Sequence, residues 1–170
     1  NGTLVVGRGR DPSFMATSSE TIAISTDPLL PTYLQAITQE DPFDFFEYDA
    51  TEKAMRNVSG RTLNLSGTLS YNTNNNNNNN SQRVLSIFSQ SKIEGGPWED
   101  NADSARKDIL RGTNDRYVTK ASEGFGLPHR ALIRFGFFAS AVGVSFLPVT
   151  INVNGAVLTG PSFKWTLKEL

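Results

Sequence analysis

Phe163-Lys164-Trp165-Thr166-Leu167-Lys168-Glu169 decides how this chain is read. On an extended backbone successive side chains point to opposite sides, so Phe163, Trp165 and Leu167 share one face and Lys164, Thr166 and Lys168 the other. That is the pattern of a half-buried strand, and no turn signal follows it. The segment is therefore expected to lie inside a sheet, with its Phe and Trp turned inward.

The same period recurs upstream. Val149-Thr150-Ile151-Asn152-Val153 alternates and is followed by Asn154-Gly155, a strong signal for a two-residue hairpin. Val142-Gly143-Val144-Ser145-Phe146 precedes it, and in residues 131–138 Ile133, Phe135 and Phe137 face together. In residues 61–71, Leu63, Leu65, Leu69 and Tyr71 oppose Thr62, Asn64, Ser66, Thr68 and Ser70. Gly67 falls on the apolar side, which predicts close backbone packing or a bulge. Strand patterns also appear in residues 21–26, stopped by Asp27-Pro28, in an edge segment near 33–37, and in 83–92, around Ile109 and in 117–121. Only residues 100–111 read as helical. Roughly eight to ten strands at this spacing predict an all-β, antiparallel sandwich.

Residues 74–80 are seven consecutive asparagines. Polar amides without apolar partners do not offset the entropy of ordering them, so the tract is expected to be a solvated hairpin tip between Tyr71 and Arg83. Residues 1–19, rich in Gly and Arg and without periodicity, read as an arm or linker, leaving residues 20–170 as a single β-sandwich domain.

A chain of 170 residues suits one core and can remove roughly 70% of its unfolded surface from water. With 16 basic and 17 acidic side chains the net charge is −1, which disfavours a nucleic-acid partner. Cysteine is absent, excluding disulfides and thiolate metal sites. No apolar run approaches the roughly 20 residues of a membrane helix, so membrane insertion is not expected. Eleven Phe are many for a chain this size. Phe135, Phe137, Phe146, Phe163 and Trp165 serve either one core or a subunit interface, where aromatic residues are enriched.

The order of these pieces resembles the TNF/C1q-like jelly roll, in the versions found in head domains of phage and large-DNA-virus structural proteins. The resemblance covers about residues 43–170. It rests on Gly60-Arg61-Thr62-Leu63-Asn64-Leu65-Ser66-Gly67-Thr68-Leu69-Ser70-Tyr71, on Arg83-Val84-Leu85-Ser86-Ile87-Phe88, and on the polar excursion through Trp98 and Arg106. It continues through Ala131-Leu132-Ile133-Arg134-Phe135, the Asn152-Val153-Asn154-Gly155 hairpin and Ser162-Phe163-Lys164-Trp165-Thr166-Leu167. The resemblance implies a homotrimer packed through aromatic strand faces, with other virion proteins and a host receptor or glycan as partners.

Catalytic chemistry is hard to find. His129 is the sole histidine, and without a second histidine or a cysteine it does not build an ordinary zinc site. Glu99, Asp100 and Asp103 lack the full calcium-loop pattern and read as a solvated turn. Gly7-Arg8-Gly9-Arg10 reads as linker, and no Gly-x-Ser-x-Gly elbow is present. The sequons at Asn1, Asn57, Asn64 and Asn79 read as chance occurrences. No catalytic residue, metal or cofactor is expected. Surface recognition falls to Trp98, Tyr117 and His129. The expected function is a non-enzymatic virion structural protein located in the virion, acting as capsid decoration, minor capsid or fibre head. The alternative is a secreted or cell-surface carbohydrate-binding jelly-roll module, extracellular, in which Trp98 or Tyr117 stacks a sugar ring.

Overall fold

A computed structural model describes residues 13–18, 21–34, 38–41, 44–75, 83–101, 106–110, 115–146, 150–153, 156–159 and 163–169. Within them the chain is all-β, in sixteen strands. The first eight are β1 (Ser13–Ser18), β2 (Ile22–Ala23), β3 (Thr32–Tyr33), β4 (Thr38–Glu40), β5 (Phe46–Asp49), β6 (Ala54–Asn57), β7 (Leu63–Asn75) and β8 (Arg83–Lys92). The rest are β9 (Glu99–Asp100), β10 (Arg106–Leu110), β11 (Asp115–Leu127), β12 (Leu132–Ala139), β13 (Val144–Phe146), β14 (Thr150–Val153), β15 (Ala156–Thr159) and β16 (Phe163–Glu169).

Fourteen of these form two seven-stranded antiparallel sheets that face each other as a β-sandwich. The first sheet runs β11-β7-β16-β1-β4, with β13 following β16 along one edge of β7 and β2 beside β13. The second runs β10-β8-β12-β6-β5, with β9 following β10 along β8 and β3 following β6 along β12. The principal pairs nest, β1 with β16, β6 with β12, β7 with β11 and β8 with β10. Successive pairs fall in alternate sheets. β16 is indeed interior, bonded to β7 on one side and β1 on the other, with Leu167 fully buried.

The core lies between the sheets. Leu63, Leu65 and Tyr71 of β7, with Leu127 and Leu167, meet Leu85, Ile87, Leu110, Ile133, Phe135 and Phe137 from the other side. Phe135 and Phe137 are both 0% exposed, so within one chain these two aromatics are core. The side chains of Phe146, Phe163 and Trp165 lie outside the described residues. The register of β11 slips on both sides of Ser122, which stands opposite the buried Gly67, so the expected bulge is present, on the partner strand. β14 and β15 pair with Val153 opposite Ala156, as the Asn154-Gly155 signal predicts.

Three expectations are corrected. Residues 100–111 are not helical where described, since Asp100 ends β9 and residues 106–110 form β10. The strand expected around Ile109 is present as β10, and its pattern is weak because its inward position opposite Leu85 is Asp108, which accepts a hydrogen bond from the Tyr71 hydroxyl, while Ile109 faces out and is exposed. Part of the expected arm is strand, since residues 13–18 form β1 inside the first sheet; the other residues of 1–19 lie outside the described residues. The asparagine tract does not cap a hairpin either. β7 runs to Asn75 in the first sheet and β8 begins at Arg83 in the second, so residues 76–82, which lie outside the described residues, connect the two sheets.

That correction changes what shortening the tract should do. Replacing residues 76–80 with a Gly/Ser run of equal length is expected to leave the melting temperature within a few degrees. Deleting them leaves Ser81 and Gln82 to reach roughly 11 Å at full extension, against about 10 Å between packed sheets. With no slack for lateral offset, the deletion is expected to lower the melting temperature by about 10 °C or more, as thermal unfolding followed by circular dichroism would show.

Candidate functional site: an aromatic groove on the outer face of the second sheet

The inward positions of β8 and β12 are odd-numbered, so Ser86, Phe88, Gln90 and Lys92 point outward beside Arg134, Gly136 and Phe138. Tyr33 of β3 stands opposite Gly136, and Gly136 stands opposite Phe88. The row Tyr33-Gly136-Phe88 thus crosses three strands with its middle residue lacking a side chain. The two flanking rings lean over that gap and meet edge to face, with centroids 6.4 Å apart and planes at 82°. Phe138, the next outward residue of β12, also packs beside Phe88, 6.3 Å between centroids. A Cβ on Gly136 would overlap the end of the Phe88 ring, whose Cε2 lies 2.7 Å from that point. Glycine inside a strand marks such a close approach.

The next row is Arg134-Gln90-Asp100, again in register. Gln90 Oε1 accepts from Arg134 Nε at 3.0 Å and Nη2 at 2.8 Å, and Gln90 Nε2 donates to Asp100 Oδ1 at 2.9 Å. The Arg134 guanidinium lies 3.8 Å from the ring centroid of Tyr33 and 3.8 Å from that of Trp98. Burial lowers the pKa of Arg134, with Tyr33 and Glu52 acting against the shift, and a guanidinium stays charged throughout the ordinary pH range. Trp98 is half-buried, and its Nε1 donates to Glu52 Oε2 at 3.3 Å.

Glu52 is delivered by a tight turn. Asp49 Oδ1 accepts from the backbone N–H of Thr51 and of Glu52, both at 3.0 Å, and Asp49 Oδ2 pairs with Arg56 Nη2 at 2.8 Å. The Glu52 amide, foremost, and Arg56 hold the Asp49 carboxyl below the usual carboxylate range, with partial burial working against them. A lowered folded-state pKa contributes stability above the unfolded value, near pH 4, and loses it as pH falls through the folded value. Asp49→Asn is therefore expected to cost about 0.5–1 kcal/mol at neutral pH. Urea unfolding of the pair should show the difference closing below about pH 4.

Between these rows and the segment carrying Pro28, Leu29 and Pro31 lies a groove of about 620 Å³, lined also by Tyr33, Phe88, Phe138, Gln90, Asp100 and Lys107. Its resources are ring faces, an amide, a carboxylate and an ammonium, which suit recognition. Trp98 belongs to the network at its margin, with Arg134 stacked on its ring. His129 belongs to a different one, where its Nδ1 accepts from the Gly60 N–H at 3.0 Å, so the two are not brought together. The side chain of Tyr117 lies outside the described residues. Glu99 and Asp100 are neighbours in one strand and point to opposite sides, so they do not share an ion; Asp103 lies outside the described residues. No group of three or more metal-ligating side chains occurs among the described residues.

Tyr33, Phe88, Arg134, Gly136 and Phe138 are missing from the sequence-derived site. Two signals could have found them: a Phe at the outward phase of 83–92, and a Gly set between Phe135 and Phe137 in a strand. Comparison of the chain with protein-family models and with curated proteins finds no match.

Proposed function

We propose that the chain is a jelly-roll domain of a virion, as capsid decoration, minor capsid or fibre head, that works by trimeric assembly and by attachment to a host surface through the groove. The observation that carries this reading is the nesting of the strand pairs, β1 with β16, β6 with β12, β7 with β11 and β8 with β10. A long antiparallel hairpin rolled up as in a jelly roll would place successive pairs in alternate sheets in this way, which supports the jelly-roll reading. It agrees with the order of segments behind the resemblance to the TNF/C1q-like class.

Self-association is supported by large apolar side chains left in water. Leu29 is 86% exposed, Leu30 72% and Val142 75%. The two leucines are held outward by a bonded turn, with Leu29 N–H on Asp27 Oδ1 at 2.8 Å and Leu30 N–H on the Asp27 carbonyl at 3.1 Å. Val142 adjoins the strand that precedes this turn, where Ile24 N–H bonds the Val144 carbonyl at 3.2 Å. Covering each such side chain contributes about 1.5–3 kcal/mol. Leu30→Ser combined with Val142→Ser is expected to shift sedimentation from trimer toward monomer while the circular dichroism spectrum stays the same. An unaltered sedimentation coefficient would count against these two side chains as the contact.

The second reading, a secreted or cell-surface carbohydrate-binding module, is favoured by the groove itself, where ring faces lie beside hydrogen-bonding groups. It requires sugar binding and no trimer.

A further inference from the structure

We infer that the groove beside Gly136 is a binding site for a neutral saccharide, with a pyranose ring laid on Phe88 and Phe138 and its hydroxyls met by Gln90, Asp100 and Lys107. The inference deepens the attachment reading above and rests on it.

The groove's volume, about 620 Å³, lies within the roughly 300–1,000 Å³ of small-ligand sites. A sugar ring carries an apolar C–H face and a rim of hydroxyls, and it needs an aromatic surface with polar groups beside it. The missing side chain at Gly136 lets Phe88 lie down on the sheet, with Tyr33 and Phe138 packed against its ring. That floor is set before any ligand arrives, which lowers the ordering cost of binding.

The polar groups select for neutrality. Asp100 and Lys107 are both exposed and supply one acceptor and one donor of opposite charge, adding no net charge to the groove. Gln90 is fixed in orientation because Arg134 takes its oxygen and Asp100 its nitrogen. The strongest cation nearby, Arg134, is already stacked between Tyr33 and Trp98 and bonded to Gln90. An acidic sugar would look for such a guanidinium and find it engaged.

The test is saturation-transfer NMR on the intact protein with methyl glucosides, galactosides and mannosides, N-acetylglucosamine oligomers, and sialyllactose as the charged comparator. At least one neutral sugar is expected to bind at millimolar concentration, with saturation strongest on the ring C–H protons of one face. Phe138→Ala should weaken it by about tenfold or more. Gly136→Val, which drives Phe88 off the floor, should remove binding, and light scattering should report the wild-type mass for both variants. Silence from every neutral sugar, a signal from sialyllactose alone, or unchanged binding by Phe138→Ala would overturn the inference. A drop in mass for Phe138→Ala would overturn it too, by showing that a second copy covers this face. A monomeric wild-type protein that binds a neutral sugar and loses it in both variants would uphold the site and sink the trimer.

Discussion

Asn57→Ala should lower unfolding free energy by about 3–5 kcal/mol, a large share of the roughly 5–15 kcal/mol that holds a typical domain together. Asn57 ends β6 in the second sheet, and its side chain is fully buried. Its Nδ2 donates to the Leu127 carbonyl at 2.7 Å, where β11 of the first sheet ends, and to the Arg61 carbonyl at 2.8 Å. Its Oδ1 accepts from the Ser59 N–H at 2.9 Å and the Ser59 hydroxyl at 2.6 Å. One amide thus satisfies the loop entering β7 and ties it to the opposite sheet. Truncation leaves the Leu127 carbonyl without that partner in a buried place, which costs about 1–3 kcal/mol, and removes the partly buried bonds to Arg61 and Ser59, worth about 0.5–1.5 kcal/mol each. Asn57→Asp should be comparably damaging, because a carboxylate has no proton to offer Leu127 and Arg61. Urea midpoints for the three proteins make the comparison, and a shift of either variant equivalent to less than about 1 kcal/mol would remove Asn57 from this role. The same burial closes the sequon at Asn57, since an amide nitrogen bonded to two carbonyls inside the folded domain has no room for a glycan.

Phe135→Ala is the second large effect, expected to cost about 3–5 kcal/mol. Its ring is fully buried between the sheets, among the largest side chains in the core. Phe138, three residues along the same strand, faces outward beside Phe88, and Phe138→Ala should cost only about 1 kcal/mol. Equal losses in the two variants would show that the faces of β12 are wrongly assigned.

The period-2 alternation in the sequence placed the strands that carry apolar residues inward, and so β7, β8, β12 and β16 were legible. It could not tell which strands pair. Tyr71 and Arg83 flank the asparagine tract with strand patterns on both sides, yet they belong to different sheets, because partnership is a property of the rolled chain and not of local alternation. β10 was legible only as a strand pattern around Ile109 that competed with a helical reading of residues 100–111: Asp108 occupies an inward position and satisfies it with the Tyr71 hydroxyl, so the apolar code is broken where a polar bond replaces it. β1 was missed because residues 1–19 show no periodicity, and its place comes from pairing with β16 and β4.

The candidate site was less legible still. Trp98 stood out as a lone large aromatic in a polar stretch, and it does lie at the groove's margin. Phe88 and Phe138 did not stand out, since a Phe in a strand reads the same whichever way it points until its neighbours' phase is known. Gly136 acquires meaning only when Tyr33 is seen opposite it, 103 positions earlier in the chain.

The most direct test of the central claim, a jelly-roll domain that acts as a trimer, is the mass of the purified protein in light scattering coupled to gel filtration across micromolar concentrations. The account predicts three times the 18.6 kDa of the chain, unchanged on dilution. A mass equal to that of a single chain at every concentration would contradict it.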